Sequence, residues 1–106
     1  MALIGLGLGR DAVSRAYYAA FHAACALLAQ LGEQARTHRG VQRLLSTRVV
    51  ATGRMDAAHL RTFQALQERR NIADYSVADV APEEASVLVE SARVFVEAAR
   101  SLVSSD

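Results

Sequence analysis

The sequence predicts an all-α protein, and three observations support this fold class. Alanine, leucine, arginine and glutamate, which favour helices, dominate the composition. The chain has a single proline, Pro82, and no stretch in which apolar and polar residues alternate as in a half-buried strand. Its hydrophobic content of 52% over 106 residues is enough for the core of one domain.

The first half of the chain predicts two helices. The first covers about residues 11–31, with Asp11 as its N-cap and Gly32 as the residue that ends it. The second covers about residues 36–50 and ends before Gly53. Apolar residues at helical spacing predict a core stripe on the first helix, which comprises Val13, Tyr17, Ala20, Phe21, Ala24, Leu28 and Leu31.

The second half predicts two more helices. The third covers about residues 56–73, with Asp56 as N-cap, and the fourth covers about residues 82–103, with the proline at its first position. Short connections between consecutive helices favour an up-down antiparallel bundle of four helices. We therefore expect a short apolar segment over residues 1–10 and a helical bundle over residues 11–104.

Composition and charge narrow the function classes. No apolar run is long enough to span a membrane, and the apolar start lacks the basic residues of a signal peptide. A single cysteine, Cys25, excludes an internal disulfide framework and fits the cytoplasm. The net charge is +1, so bulk electrostatics do not favour nucleic-acid binding, and all the cationic side chains other than histidine are arginine.

The side of the first helix opposite the core stripe is an unusual surface. Arg15, Tyr18, His22 and Cys25 lie there among small alanines. A helix that is apolar or aromatic on both sides is usually buried on both. This second side is expected to meet another helix, another subunit or a ligand. His22 and Cys25 are too few to hold a metal, so we expect neither a metal nor another cofactor.

Four arginines are candidate phosphate ligands, three on the second predicted helix and one on the third. Arg36, Arg39 and Arg43 share the polar face of the second helix, where they form either a solvated surface or a track for a phosphate backbone. Arg70 lies on the apolar stripe of the third helix, where its guanidinium needs an acceptor. Either Asp74, four residues later, or a bound phosphate would satisfy it, and the sequence leaves both open.

Three sequence blocks resemble those of the HEPN family. They are SRAYYAAFHAA at residues 14–24, HRGV at residues 38–41 and RNIADY at residues 70–75, and they occur in the family's order and spacing. The resemblance implies a helical bundle that forms a homodimer. It also implies a minimal nucleotidyltransferase as a partner protein, as in toxin–antitoxin pairs, and a cleft that binds nucleotide or RNA.

Active members of the family cut RNA without metal, with an arginine, a following polar residue and a histidine four to six residues after the arginine. Arg70 and Asn71 match this motif, but Tyr75 occupies the histidine position. A phenol is a weak base at neutral pH. We therefore regard ribonuclease activity as the alternative to phosphate binding, and a purely structural dimerisation module as a further one.

The resemblance and the residue patterns together give two sets of candidate site residues. The ligand-binding candidates are Arg70, Asn71, Asp74, Tyr18, His22 and Arg15. The candidates for catalysis are Arg70, Tyr75 and His38, with His38 as a substitute base at the start of the second helix.

Overall fold

The computed structural model describes residues 8–75 and 80–104, with side chains for residues 9–71 and 80–103. The elements in these ranges are helical: α1 (Leu8–Gln30), α2 (His38–Leu44), a π-helical segment that continues α2 (Leu45–Val50), α3 (Ala57–Tyr75) and α4 (Pro82–Ser104). No strand occurs in this part of the chain, so the all-α prediction is confirmed there. None of its helices is long and apolar enough to cross a membrane.

Most of the predicted helix ends are confirmed because they depend on local backbone chemistry. Gly32 and Gly53 have φ angles of 79° and 80°, a left-handed conformation that glycine adopts without strain. The Asp56 carboxylate accepts a hydrogen bond from the Ala58 amide at 2.8 Å and so caps α3. Pro82 is the first residue of α4, where a missing N–H costs nothing.

Two of the predicted starts are wrong. Helix α1 already includes Leu8, so Asp11 lies inside the helix and does not cap it. Helix α2 begins at His38 instead of Arg36, because Thr37 is the residue with a capping side chain. Its hydroxyl accepts a hydrogen bond from the Gly40 amide at 2.9 Å.

The predicted second helix also changes its period. From Leu45 to Val50 the backbone is π-helical, and the amide of Ala51 bonds to the carbonyl of Ser46, five residues earlier. Apolar residues four apart drift around an α-helix, because its turn contains 3.6 residues. The wider turn of the π segment compensates for that drift. Three residues at this spacing are consequently buried together, namely Val41, Leu45 and Val49.

The core is centred on three aromatic rings from three helices. Tyr17 of α1 lies 5.6 Å from Phe63 of α3, and Phe63 lies 5.4 Å from Phe95 of α4, between ring centroids. All three side chains are fully buried. Burying such rings contributes roughly 2 to 3 kcal/mol each to stability. The predicted α1 stripe joins this core, with Phe21 and Leu31 packed at its margin. The other predicted members of the stripe are buried. Tyr17, Ala20, Ala24 and Leu28 belong to this core, whereas Val13 belongs to a smaller cluster with Val80 and Ala85.

Candidate functional site

Arg70 of α3 reaches across to two tyrosines of α1. Its Nη2 donates a hydrogen bond to the Tyr18 hydroxyl at 2.7 Å. The guanidinium carbon lies 5.0 Å from the centroid of the Tyr18 ring and 5.7 Å from that of Tyr17, within the range of a cation–π contact. A planar guanidinium held against two rings has few accessible rotamers, so its plane keeps a fixed direction.

The second contact of the site joins Tyr17 to His38. The Tyr17 hydroxyl hydrogen-bonds to Nδ1 of His38, the first residue of α2. Phe21 packs against the same imidazole, with ring centroids 4.7 Å apart. Thr37, whose hydroxyl caps α2, directly precedes His38. The site thus depends on α1, α2 and α3 together.

The pKa values of Tyr17 and His38 determine the protonation state of each side chain at neutral pH. Burial raises the pKa of Tyr17 to about 12, even though the positive charge of Arg70 opposes the rise. Burial, reinforced by the positive charge of Arg70, lowers the pKa of His38. At neutral pH the phenol is therefore protonated and the imidazole is neutral.

The hydroxyl of Tyr17 makes no second hydrogen bond within the described residues, so its proton is satisfied by donation to Nδ1. The ring proton of His38 is then on Nε2. In this tautomer His38 is a hydrogen-bond donor at the site and would have to change tautomer to act as a base.

The cluster therefore brings three hydrogen-bond donors close together. The Tyr18 oxygen accepts a hydrogen bond from Arg70, so the Tyr18 proton is available to a ligand, and 38% of the residue is exposed. The rings of Tyr18 and His38 lie 6.5 Å apart between centroids. A guanidinium, a phenol and an imidazole N–H at this separation are suited to the oxygens of a phosphate.

The other predicted ligand residues are divided between different surfaces. Arg15 lines a groove between α1 and α4, and His22 lines a second groove between the same two helices, although its ring is 6.3 Å from that of Tyr18. Asn71 faces a recess between α2 and α3. The side chains of Asp74 and Tyr75 lie outside the described residues, so their predicted roles remain predictions.

The neighbouring charges have ordinary surroundings. Three arginines of the second predicted helix are exposed, namely Arg36, Arg39 and Arg43. Exposure fits both a solvated surface and a track for a phosphate backbone, so the two interpretations stay open. Arg69, the neighbour of Arg70, is turned towards α4, where it forms an ion pair with Glu84 at 2.5 Å. The adjacent arginines of α3 thus have different environments.

The thiol of Cys25 is partly buried among apolar neighbours. Burial raises the pKa of the Cys25 thiol, which lowers its thiolate fraction and its reactivity. Within the described ranges, no three side chains of histidine, cysteine, aspartate or glutamate come together as a metal site would require.

Sequence reasoning missed Tyr17 as a member of the site, because its spacing assigns it to the core. A signal was present in the residue type: a tyrosine at a fully buried position needs a hydrogen-bond partner for its hydroxyl, whereas phenylalanine does not. The helical fold and the Tyr18–His38–Arg70 cluster define a small all-α protein with a donor-rich site between helices.

Comparison with known proteins agrees with this description. The HEPN domain profile matches residues 2–102, nearly the whole chain. A protein of Methanocaldococcus jannaschii named "Putative toxin" is 36% identical over 82 residues, which is 77% of this chain and 61% of the relative. A UPF0332 protein of Pyrococcus horikoshii is 41% identical over 59 residues, or 56% of this chain and 42% of that protein.

The chain thus spans about three fifths of the first relative and about two fifths of the second. No solved structure matches it. Because the profile covers most of the sequence, the chain belongs to the HEPN family.

Proposed function

We propose that this chain is a toxin-type or accessory HEPN protein that binds the phosphate of RNA or of a nucleotide at Arg70. The observation that carries the proposal is the fixed guanidinium of Arg70 beside the Tyr18 hydroxyl and the His38 imidazole. Three donors of this kind are suited to an anion with several oxygens. The similarity to a relative named as a toxin supports a toxin-type role.

The proposal includes a homodimer and a minimal nucleotidyltransferase as partner, both of which follow from the family resemblance. A surface feature supports the dimer. Between α1 and α4 lies an open groove of about 720 Å³, which is lined by alanines and by Val89 and Val96 of α4. Charged residues line it as well, namely Asp11, Arg15, Arg93, Glu97 and Arg100. Val87 and Val94 of α4 are also exposed. Apolar side chains bordered by charged ones are typical of the interfaces between protein chains.

Binding of single-stranded RNA to purified protein tests the proposal. Arg70→Ala removes the guanidinium, and loss of its charged hydrogen bonds is expected to weaken binding about 10- to 100-fold. Arg70→Lys keeps the charge without the fork and should recover only part of the affinity. The matched control is Arg61→Ala, an exposed arginine of the same helix.

Equal affinities of the wild type, Arg70→Ala and Arg61→Ala would contradict the proposal. The purely structural dimerisation module would then be the better description, and sedimentation of the same proteins would show whether the dimer persists. Weakening by Arg70→Ala alone supports phosphate binding at this site.

A second candidate function is a metal-independent endoribonuclease, and the position of His38 beside Arg70 favours it. Internal cleavage of RNA requires a base for the ribose 2′-hydroxyl, an acid for the departing 5′-oxygen and a cation for the phosphate. Arg70 would be the cation. His38 would be the base once its ring proton is on Nδ1: Nε2 would take the 2′-hydroxyl proton, and the resulting imidazolium would give a proton to the departing 5′-oxygen. Incubation with RNA in the presence of a chelator tests this, since cleavage should disappear in both Arg70→Ala and His38→Ala.

A further inference from the structure

A polar recess lies between α2 and α3, close to Arg70. It has a volume of about 330 Å³ and is lined mainly by amide side chains, namely those of Gln42, Gln64, Gln67 and Asn71, together with the carboxylate of Glu68. Asn71 directly follows Arg70, and Gln67 precedes Arg70 by three residues. Gln42 follows His38 by four residues on α2. Residues three or four apart on a helix are about 5 to 6 Å apart, so the recess lies one helical turn from the Arg70 site.

A contact between two glutamines fixes the chemistry of this recess. Nε2 of Gln42 donates a hydrogen bond to Oε1 of Gln67. A primary amide has one carbonyl oxygen and two N–H donors. The contact therefore leaves the carbonyl of Gln42 as an acceptor and the NH₂ group of Gln67 as a donor, side by side and held by each other. Neither group has another hydrogen-bond partner within the described residues.

The lining excludes one ligand class and suits another. The carboxylate of Glu68 repels a phosphate, so the recess is not an extension of the Arg70 anion site. An adjacent donor and acceptor match the edge of a nucleobase, which presents ring nitrogens, carbonyl oxygens and amino groups in one plane. An additional carboxylate oxygen accepts from an exocyclic amine, which adenine, cytosine and guanine have and uracil lacks.

We propose that this amide recess binds the nucleobase of the ligand whose phosphate is held at Arg70, and that it discriminates against uracil. The inference rests on the proposed function, because Arg70 must first bind a nucleotide phosphate. It assigns Gln42 and Gln67 as the residues that recognise the base, with Glu68 as the acceptor that selects an amino group.

The test uses the four ribonucleoside 5′-monophosphates as probes and ribose 5-phosphate as the probe without a base. The wild-type chain is expected to bind the adenosine, cytidine and guanosine monophosphates about tenfold more tightly than ribose 5-phosphate, with the uridine monophosphate in between. Calorimetry or amide NMR shifts give the dissociation constants.

Gln67→Leu removes the donor and the acceptor of the amide pair while keeping a side chain of similar size. This variant should bind all five probes with the affinity that the wild type has for ribose 5-phosphate. Gln42→Leu should have the same effect, and circular dichroism of both variants checks that they are folded. Gln30→Leu is the matched control, since this exposed amide lies twelve residues from Tyr18 along α1, or about 18 Å.

The outcomes separate this inference from the proposed function. If both leucine variants keep the wild-type preference, or if the wild type binds all five probes equally, the amide recess does not bind a base. Loss of affinity in Arg70→Ala for every probe, ribose 5-phosphate included, would still support the phosphate site. If Arg70→Ala binds all probes as the wild type does, the proposed function fails, and the inference fails with it.

Discussion

Replacing Tyr17 with phenylalanine removes a single oxygen atom from the centre of the molecule. The ring stays in place, because its contacts with Phe63 and Phe21 do not involve the hydroxyl. The hydrogen bond to Nδ1 of His38 is lost. At neutral pH we expect the free energy of unfolding to fall by about 1 kcal/mol, the usual net contribution of one such bond.

The same substitution should have the opposite effect in alkaline solution. The pKa of Tyr17 is raised from 10.0 to about 12 in the folded protein, because the buried phenolate is poorly solvated. Between these two values the unfolded chain loses the proton and the folded chain keeps it, so stability falls as the pH rises. A pKa held this far above its ordinary value corresponds to roughly 2 to 3 kcal/mol. Tyr17→Phe has no proton to lose there and escapes this destabilisation.

Urea unfolding, followed by circular dichroism at a series of pH values, measures both effects. The stability curves of the wild type and Tyr17→Phe should cross between about pH 10 and about pH 12. Tyr18→Phe, which removes the hydroxyl that accepts a hydrogen bond from Arg70, is the control. Its curve should lie below that of the wild type by a constant amount and should not cross it. Parallel curves for the wild type and Tyr17→Phe over this range would refute the argument that burial governs this proton.

Three further substitutions test the fold. Phe63→Ala empties the centre of the aromatic core and should lower the free energy of unfolding by about 3 to 5 kcal/mol. The thermal midpoint should fall accordingly, whereas the control Val94→Ala, at an exposed site, should leave it nearly unchanged. Gly53→Ala forces a side chain onto a backbone with a φ of 80°. The free energy of unfolding in urea should fall by about 1 to 2 kcal/mol. The added Cβ has no atom within 4 Å with which to clash, so an unchanged stability would show that the backbone is not strained by the substitution. Thr37→Val removes the cap of α2 and should cost about 1 kcal/mol, with increased hydrogen exchange confined to the start of that helix.

The sequence predicts those parts of the fold that depend on neighbouring residues. Gly32, Gly53, Asp56 and Pro82 mark helix ends because each acts through its own backbone or a contact two residues away. The π-helical segment could not be predicted in this way, because it depends on which side chains α2 must bury against the other helices. A regular pattern of apolar residues there is equally compatible with an uninterrupted α-helix.

The site is predictable to a similar extent. The inward position of Arg70 follows from helical spacing, and the family blocks identify Tyr18 and His38 as its companions. Which of these residues meet is decided by the packing of three helices, and that packing directs Arg15 to a different surface. The pairing of Gln42 with Gln67 depends on the same packing, since glutamines on polar faces are otherwise unremarkable.

The π-helical segment from Leu45 to Val50 has a consequence for comparing relatives. A π turn is an α-helix that carries one surplus residue. Deleting one residue within it would restore a regular α-helix and leave the residues before the deletion on nearly the same face, because the π turn takes up its surplus residue without rotating the rest of the helix. His38 and Gln42 would then still face the same neighbours. Deleting a residue from the regular part of α2 would instead rotate the residues before it by about 100°. Homologues that lack one residue within this segment should therefore keep the α2–α3 site, whereas those that lack one elsewhere in α2 should lose it.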